Sequence, residues 1–186
     1  MQRPAGRPGP DLTYDVNHRA TVRLARGGQG RPGSPRFLFS SSCSLYGSGT
    51  DDAPLDELRP FAPLTPYGEI EDPRRARRRR PLADDFSPVF LRNATAYGFS
   101  PRLRGDLVVN DLVGSCACSP ARSSCAATAA GLAPLVHAED ICAASQRCSK
   151  RRERIHGRAF NVGQTAENYL IRDVRRAGRA NSWAAP

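Results

Sequence analysis

The chain has 186 residues, enough for one domain with a core, yet only 39 % are hydrophobic and glycine and proline number 16 each, a balance that favours loops over packed elements. Its formal net charge is +10, and of 28 basic residues Lys150 alone is lysine. That bias, together with abundant Ala, Gly and Pro, points to GC-rich coding DNA rather than to a nucleic-acid binder, which usually mixes the two basic residues. No apolar run approaches the roughly 20 residues of a membrane span, and Met1 to Pro10 has no apolar core of the leader kind. The expectation is a soluble cytoplasmic protein whose six cysteines stay reduced.

Residues 10–26 fit a helix, with Val16, Ala20, Val22, Leu24 and Ala25 near helical spacing. The glycines and prolines of 27–35 end it. Arg36-Phe37-Leu38-Phe39 reads as a buried strand that emerges into Ser40-Ser41-Ser42-Cys43-Ser44-Leu45-Tyr46-Gly47, a loop of small hydroxyl residues. Residues 48–66 read as a loop, and Tyr67-Gly68-Glu69 as a helix start. Residues 70–81 then carry proline and six arginines. Pro88 to Arg92 reads as a second buried strand and 106–114 as a helix. Residues 115–133 have low complexity and no period. Pro134 to Ile141 reads as ordered, and 142–155 as basic and aperiodic. Phe160 to Gly163 reads as a strand ending in a turn, Glu167 to Val174 as a helix start, and the tail from Arg175 as filler.

These islands, in this order, resemble the extended short-chain dehydrogenase/reductase family, the NAD-dependent sugar-nucleotide epimerases and dehydratases. The most specific piece is Phe37 to Gly47, similar to the strand that delivers the family's catalytic Ser or Thr into an aromatic-Gly turn. Pro66-Tyr67-Gly68 resembles the start of its Tyr-x-x-x-Lys helix, at the family's separation from Ser42. Arg92 to Gly98, His137 to Ile141 and Phe160 to Gly163 resemble its downstream signatures. The resemblance implies an α/β fold: an incomplete Rossmann-like doubly wound parallel sheet with part of a small substrate domain. The division expected is a nucleotide-binding part over 1–114 with a disordered basic insert at about 70–81, a substrate-binding part over 115–174, and a disordered tail over 175–186.

The chemistry implied is hydride exchange between NAD and a sugar-ring carbon of a nucleotide sugar, in relatives that can be homodimers. Tyr67 is the implied general base and Ser42 the hydrogen-bond partner of the reacting oxygen. Ser40, Ser41, Tyr67 and Asn93 fall on the cofactor side, Thr95 and Asn110 on the substrate side. A free tyrosine titrates near pH 10, so a phenolate at neutral pH needs a neighbouring cation. The family's lysine position holds Glu71. A unit charge about 4 Å away is worth about 4 kcal/mol at an effective dielectric near 20. A carboxylate in place of an ammonium therefore disfavours the phenolate and leaves Tyr67 a poor base.

Other family features are also missing. The glycine-rich strand–turn–helix that seats the pyrophosphate on backbone N–H groups is not found and is expected upstream of Met1. The arginine before the Pro-Leu-Val-His run is Ala133. The expectation is a fragment with impaired or no activity. Stretches such as 70–77 also read as family sequence in a shifted frame: one choice of synonymous codons for Ile70 to Arg77, moved by one base, yields Ser-Lys-Thr-Arg-Val-Glu-Arg and restores the lysine, a reading that the coding DNA decides.

Rival readings are weaker. Residues 74–80 could attract phosphates as a non-enzymatic, Arg-rich nucleic-acid or interaction segment, but no aromatic is interleaved to stack on bases. Cys116-x-Cys118 is too tight, and Cys142 to Cys148 too wide, for zinc with His137 and His156. Cys43 has no base or cation to activate it, and His137 reads as structural.

Overall fold

The computed structural model describes residues 10–28, 36–47, 55–65, 86–118, 132–150, 155 and 157–180. Tyr67, Glu71, the basic segment at 70–81 and His156 lie outside them. Helices α1 (Pro10–Thr13) and α2 (Ala20–Gly28) are joined by a π-helical stretch, Tyr14–Arg19, so that 10–28 is helical throughout. Side chains bond back onto the backbone there: Asn17 Nδ2 donates to the Thr13 carbonyl at 3.1 Å and Thr21 Oγ1 to the Asn17 carbonyl at 2.5 Å. Such bonds compete with the i→i−4 ladder and accompany a widened turn.

Strand β1 (Arg36–Ser42) runs into a 3₁₀ turn, Cys43–Tyr46. Strand β2 (Ser87–Asn93) pairs with β1 in parallel, Arg36 opposite Ser87 through Ser42 opposite Asn93. Strand β5 (Ala159–Val162) pairs in parallel with the other edge of β2. The central position of β2 explains its near-continuous apolar run, since parallel strands are covered on both faces. Pro88, Val89, Phe90 and Leu91 are all buried. Each large side chain there contributes roughly 1.5–3 kcal/mol. Phe37 packs on Phe86 at 5.8 Å between ring centroids, and Phe39 meets Phe90 edge-on at 6.2 Å.

A second sheet follows from the same chain. Strand β3 (Thr95–Tyr97) pairs in parallel with β4 (Leu132–His137), and β4 pairs antiparallel with β6 (Asn168–Leu170). Helix α3 (Val108–Cys118) buries Leu112 and touches β3 and α5 (Ile171–Ala180). Helix α4 (Ala138–Lys150) packs on β1, β2, β4 and β5, with Glu139 and Asp140 in its first turn and Arg147 and Lys150 in its last, signs that suit the helix dipole.

Three expectations need correction. Residues 142–150, read as aperiodic, complete α4; Asn168–Leu170, read within a helix start, is a strand; and the tail read as filler from Arg175 is helical through Ala180. The sheet that carries Ser42 also takes its third strand from 159–162, beyond the boundary expected at 114. Among the described residues no helix is long and apolar enough to cross a membrane.

Candidate active site

The three parallel strands β1, β2 and β5 end together, at Ser42, Asn93 and Val162. The carboxyl ends of parallel strands are where open α/β sheets hold ligands, because chain turns diverge there and leave a crevice. Strand alternation places Ser40, Ser42 and Asn93 on one face of this edge. Asn93 Nδ2 donates to Ser40 Oγ at 2.7 Å. Ser41 is buried on the opposite face, in register with Arg92, and so is set apart from the other two serines.

Ser42 is the last extended residue before the 3₁₀ turn, with φ −139° and ψ 150°. Its Oγ accepts from the Ser44 N–H at 3.1 Å and lies 2.9 Å from Ser44 Oγ. This is an N-cap: a hydroxyl satisfies a free N–H at the start of the turn. The two contacts also restrain the Ser42 rotamer, and either hydroxyl can be the donor in the Ser42–Ser44 pair. Ser44 had no assigned role in the sequence reading. The spacing of a strand-end serine and a second serine two residues on is the signal that could have found it.

Asn93 is only 8 % exposed, and its Oδ1 has no hydrogen-bond partner among the described residues. Swapping the amide's N and O assignments does not remove the shortfall, since one end still lacks a partner. A buried amide with one unmet end costs roughly 1–3 kcal/mol. Oδ1 is closed to solvent, so the amide N–H or hydroxyl of a ligand would meet it only with the side chain turned outward. An unmet amide end near the Ser40 and Ser42 hydroxyls offers the mix of acceptors and donors that a primary carboxamide, such as that of nicotinamide, could match.

The remaining predicted residues are more dispersed. Thr95 stands in β3, half-buried and opposite Leu135. Asn110 lies in the first turn of α3, and its Nδ2 donates to the Arg104 carbonyl at 2.9 Å, which holds the preceding turn. Cys43 is partly buried, and burial pushes its thiol pKa up more than the Ser42 hydrogen bond lowers it. His137 faces Tyr97 edge-on at 5.3 Å, and its Nδ1 accepts from the Glu139 N–H at 3.3 Å, a packing and capping role.

The turn after Ser42 is closed by a loop. Gly47 has φ 76° and ψ −151°, a conformation essentially restricted to glycine. A Cβ there would lie 2.1 Å from the Ala62 carbonyl oxygen, and the Ala62 N–H donates to the Leu45 carbonyl at 3.0 Å. Beneath it Arg92, Tyr46 and Asn161 form a polar network that no single stretch of sequence reveals.

The architecture matches solved enzymes. The chain superposes on MoeE5, solved with UDP-glucose and NAD, at 24 % identity and a TM-score of 0.73, covering 90 % of this chain and 54 % of that one. It superposes on the Bordetella bronchiseptica enzyme WbmG, solved with NAD and UDP, at 20 % identity and a TM-score of 0.73, covering 100 % and 56 %. For the Thermus thermophilus UDP-glucose 4-epimerase, solved with NAD, the values are 19 % and 0.71, covering 96 % and 58 %. The chain thus spans a little over half the length of these structures, and at such identities they establish the fold alone. The sequence match is independent of them: the model of the NAD dependent epimerase/dehydratase family aligns with residues 4–163. A Rossmann-like α/β sheet, a strand-end serine and a match over most of its length together make this chain a member of the NAD dependent epimerase/dehydratase family.

Proposed function

We propose that this chain carries the reacting end of an NAD-dependent sugar-nucleotide epimerase or dehydratase site, with its proton transfer impaired by Glu71. The observation that carries the reading is the cluster at the carboxyl edge of β1 and β2: Ser42 capped by Ser44, and Asn93 buried with one amide end unmet. NAD, when bound, supplies the hydride acceptor and donor. Asn93 and Ser40 hold its carboxamide end. Ser42 donates its proton to the reacting sugar oxygen, while its lone pair stays committed to the Ser44 N–H. Tyr67 is the general base that takes the proton from that oxygen. Thr95 and Asn110 lie toward the nucleotide sugar.

Glu71 stands four residues beyond Tyr67, at the family's lysine position, so the nearby charge is negative and the neutral phenol is the favoured form. Wild type, Glu71→Lys, and Glu71→Lys combined with Ser42→Ala are incubated with NAD and UDP-glucose or UDP-glucuronic acid, and conversion of the nucleotide sugar is followed by chromatography, because epimerisation or dehydration returns the hydride and leaves no net NADH. Glu71→Lys is expected to turn over faster than wild type. Loss of Ser42 from that background is expected to lower the rate about 10²-fold, the usual weight of one positioned acid–base group. Measurable wild-type turnover equal to that of Glu71→Lys would overturn the impairment. Indifference to Ser42 would overturn the site.

A further inference from the structure

We infer that Arg92 is a positioning residue, which clamps the loop 55–65 against the strand ends and so sets where the chain delivers Tyr67; the assignment rests on the role proposed above for Tyr67. Arg92 sits one residue before the end of the central strand, opposite Ser41 on one side and Asn161 on the other, and is 7 % exposed. Its Nη1 donates to Tyr46 Oη at 2.7 Å and to the Glu57 carbonyl at 3.0 Å. The guanidinium plane lies over the Phe61 ring at 4.7 Å and the Tyr46 ring at 5.6 Å. Tyr46 Oη passes the network on, donating to Asn161 Oδ1 at 2.7 Å. Asn161 then holds the loop's first arm: its Nδ2 donates to the Leu55 carbonyl and its backbone N–H to Glu57 Oε1, each at 2.9 Å. The second arm, Phe61 and Ala62, is held by the guanidinium and by the Leu45 carbonyl.

The choice of side chain argues for more than filling. A buried guanidinium carries a desolvation penalty that an apolar residue of the same volume avoids. Here Nη1 alone donates to both a phenol and a main-chain carbonyl, Nε is buried without a partner among the described residues, and the flat guanidinium meets two rings, a combination that an ammonium reproduces only in part. The result is a loop fixed at both arms to β2, β5 and the turn after Ser42. That loop ends at Thr65, two residues before Tyr67. Ser42 and the approach to Tyr67 are thereby referred to the same rigid strand ends.

Hydrogen exchange on the full chain tests this, comparing wild type with Arg92→Met and Arg92→Lys. The Ala62 amide reports the loop, and the Phe90 and Ala94 amides, bonded to Arg158 and Val162, report the sheet. A second readout is the Tyr67 ring resonance in ¹³C-tyrosine-labelled protein, assigned with Tyr67→Phe. Arg92→Met is expected to raise Ala62 exchange about tenfold to a hundredfold while the sheet amides hold, and to shift the Tyr67 resonance. Arg92→Lys should recover part of both. If Arg92→Met does not fold, Tyr46→Phe and Asn161→Ala sever the same links and should give the same pattern. Unchanged Ala62 protection, equal loosening of loop and sheet, or a Tyr67 resonance that stays put would each overturn the inference. None of these readouts depends on turnover, so failure of the clamp is distinguishable from failure of the proposed reaction.

Discussion

Replacing Gly47 by alanine tests the turn that presents Ser42. At φ 76° and ψ −151° the backbone lies where only glycine is comfortable, and an added Cβ would sit 2.1 Å from the Ala62 carbonyl oxygen. Backbone strain of this kind costs about 1–3 kcal/mol. The Ala62 carbonyl must also retreat from 2.1 Å toward the 3.4 Å at which contact becomes ordinary. That movement pulls on the Ala62 N–H bond to Leu45, worth about 1 kcal/mol. The combined expectation is a loss of about 3 kcal/mol, or a fall in Tm of about 6–12 °C for a chain of this size. Urea and thermal unfolding followed by circular dichroism measure it. Gly105→Ala is the control, because a Cβ there meets nothing within 4 Å. A Gly47→Ala variant within about 0.5 kcal/mol of wild type would refute the reasoning.

Further outcomes follow from the same contacts. Gly98 has φ 118°, and a Cβ there would lie 2.6 Å from His137 Nε2, so Gly98→Ala should cost at least about 2 kcal/mol. Combining it with His137→Ala should cost less than the two changes separately, and strict additivity would contradict the clash. Tyr97 Oη donates to both Glu167 carboxylate oxygens at 3.3 Å, and burial, with the Glu167 charge next, raises its pKa. A raised folded pKa means stabilisation that is complete below the ordinary tyrosine value of about 10 and lost as pH climbs through the raised one. The Tm advantage of wild type over Tyr97→Phe should therefore hold between about pH 6 and 9, where Glu167 is ionised, and shrink above about pH 10; an advantage that grows in that alkaline range would show the sign to be wrong. Burial raises the Cys43 thiol pKa, whereas Cys142 is exposed. Iodoacetamide at pH 8 should alkylate Cys142 roughly tenfold faster than Cys43, read by peptide mass spectrometry, and equal rates would contradict the burial.

Much of the sheet edge at Ser42 was legible because it is written locally. Phe37 to Phe39 followed by three serines announces a buried strand opening into a polar turn, and Pro88 to Leu91 is apolar throughout because β2 is covered on both faces. Helix α4 was only half legible. Its inward positions beyond Ile141 are Ala144, Ser145 and Cys148, at helical spacing but small, so hydropathy showed only the polar face of 142–150. The strand Asn168–Leu170 has three residues, too few for a period of two to register, and it exists by pairing with β4 far upstream. The Arg92 network was not legible. Tyr46, Glu57, Arg92 and Asn161 are brought together by the parallel register, and nothing in the spacing of such distant residues marks them as neighbours.

The most direct measurement is the pH titration of the Tyr67 ring carbon by NMR in wild type, Glu71→Gln and Glu71→Lys. The account predicts an ordered series: Tyr67 ionises at the highest pH beside the carboxylate, lower beside the amide and lowest beside the ammonium, with one to three units between the extremes as a rough expectation for neighbouring charges. Three superimposable curves would mean that residue 71 does not govern the tyrosine, and the proposed cause of impaired proton transfer would be wrong.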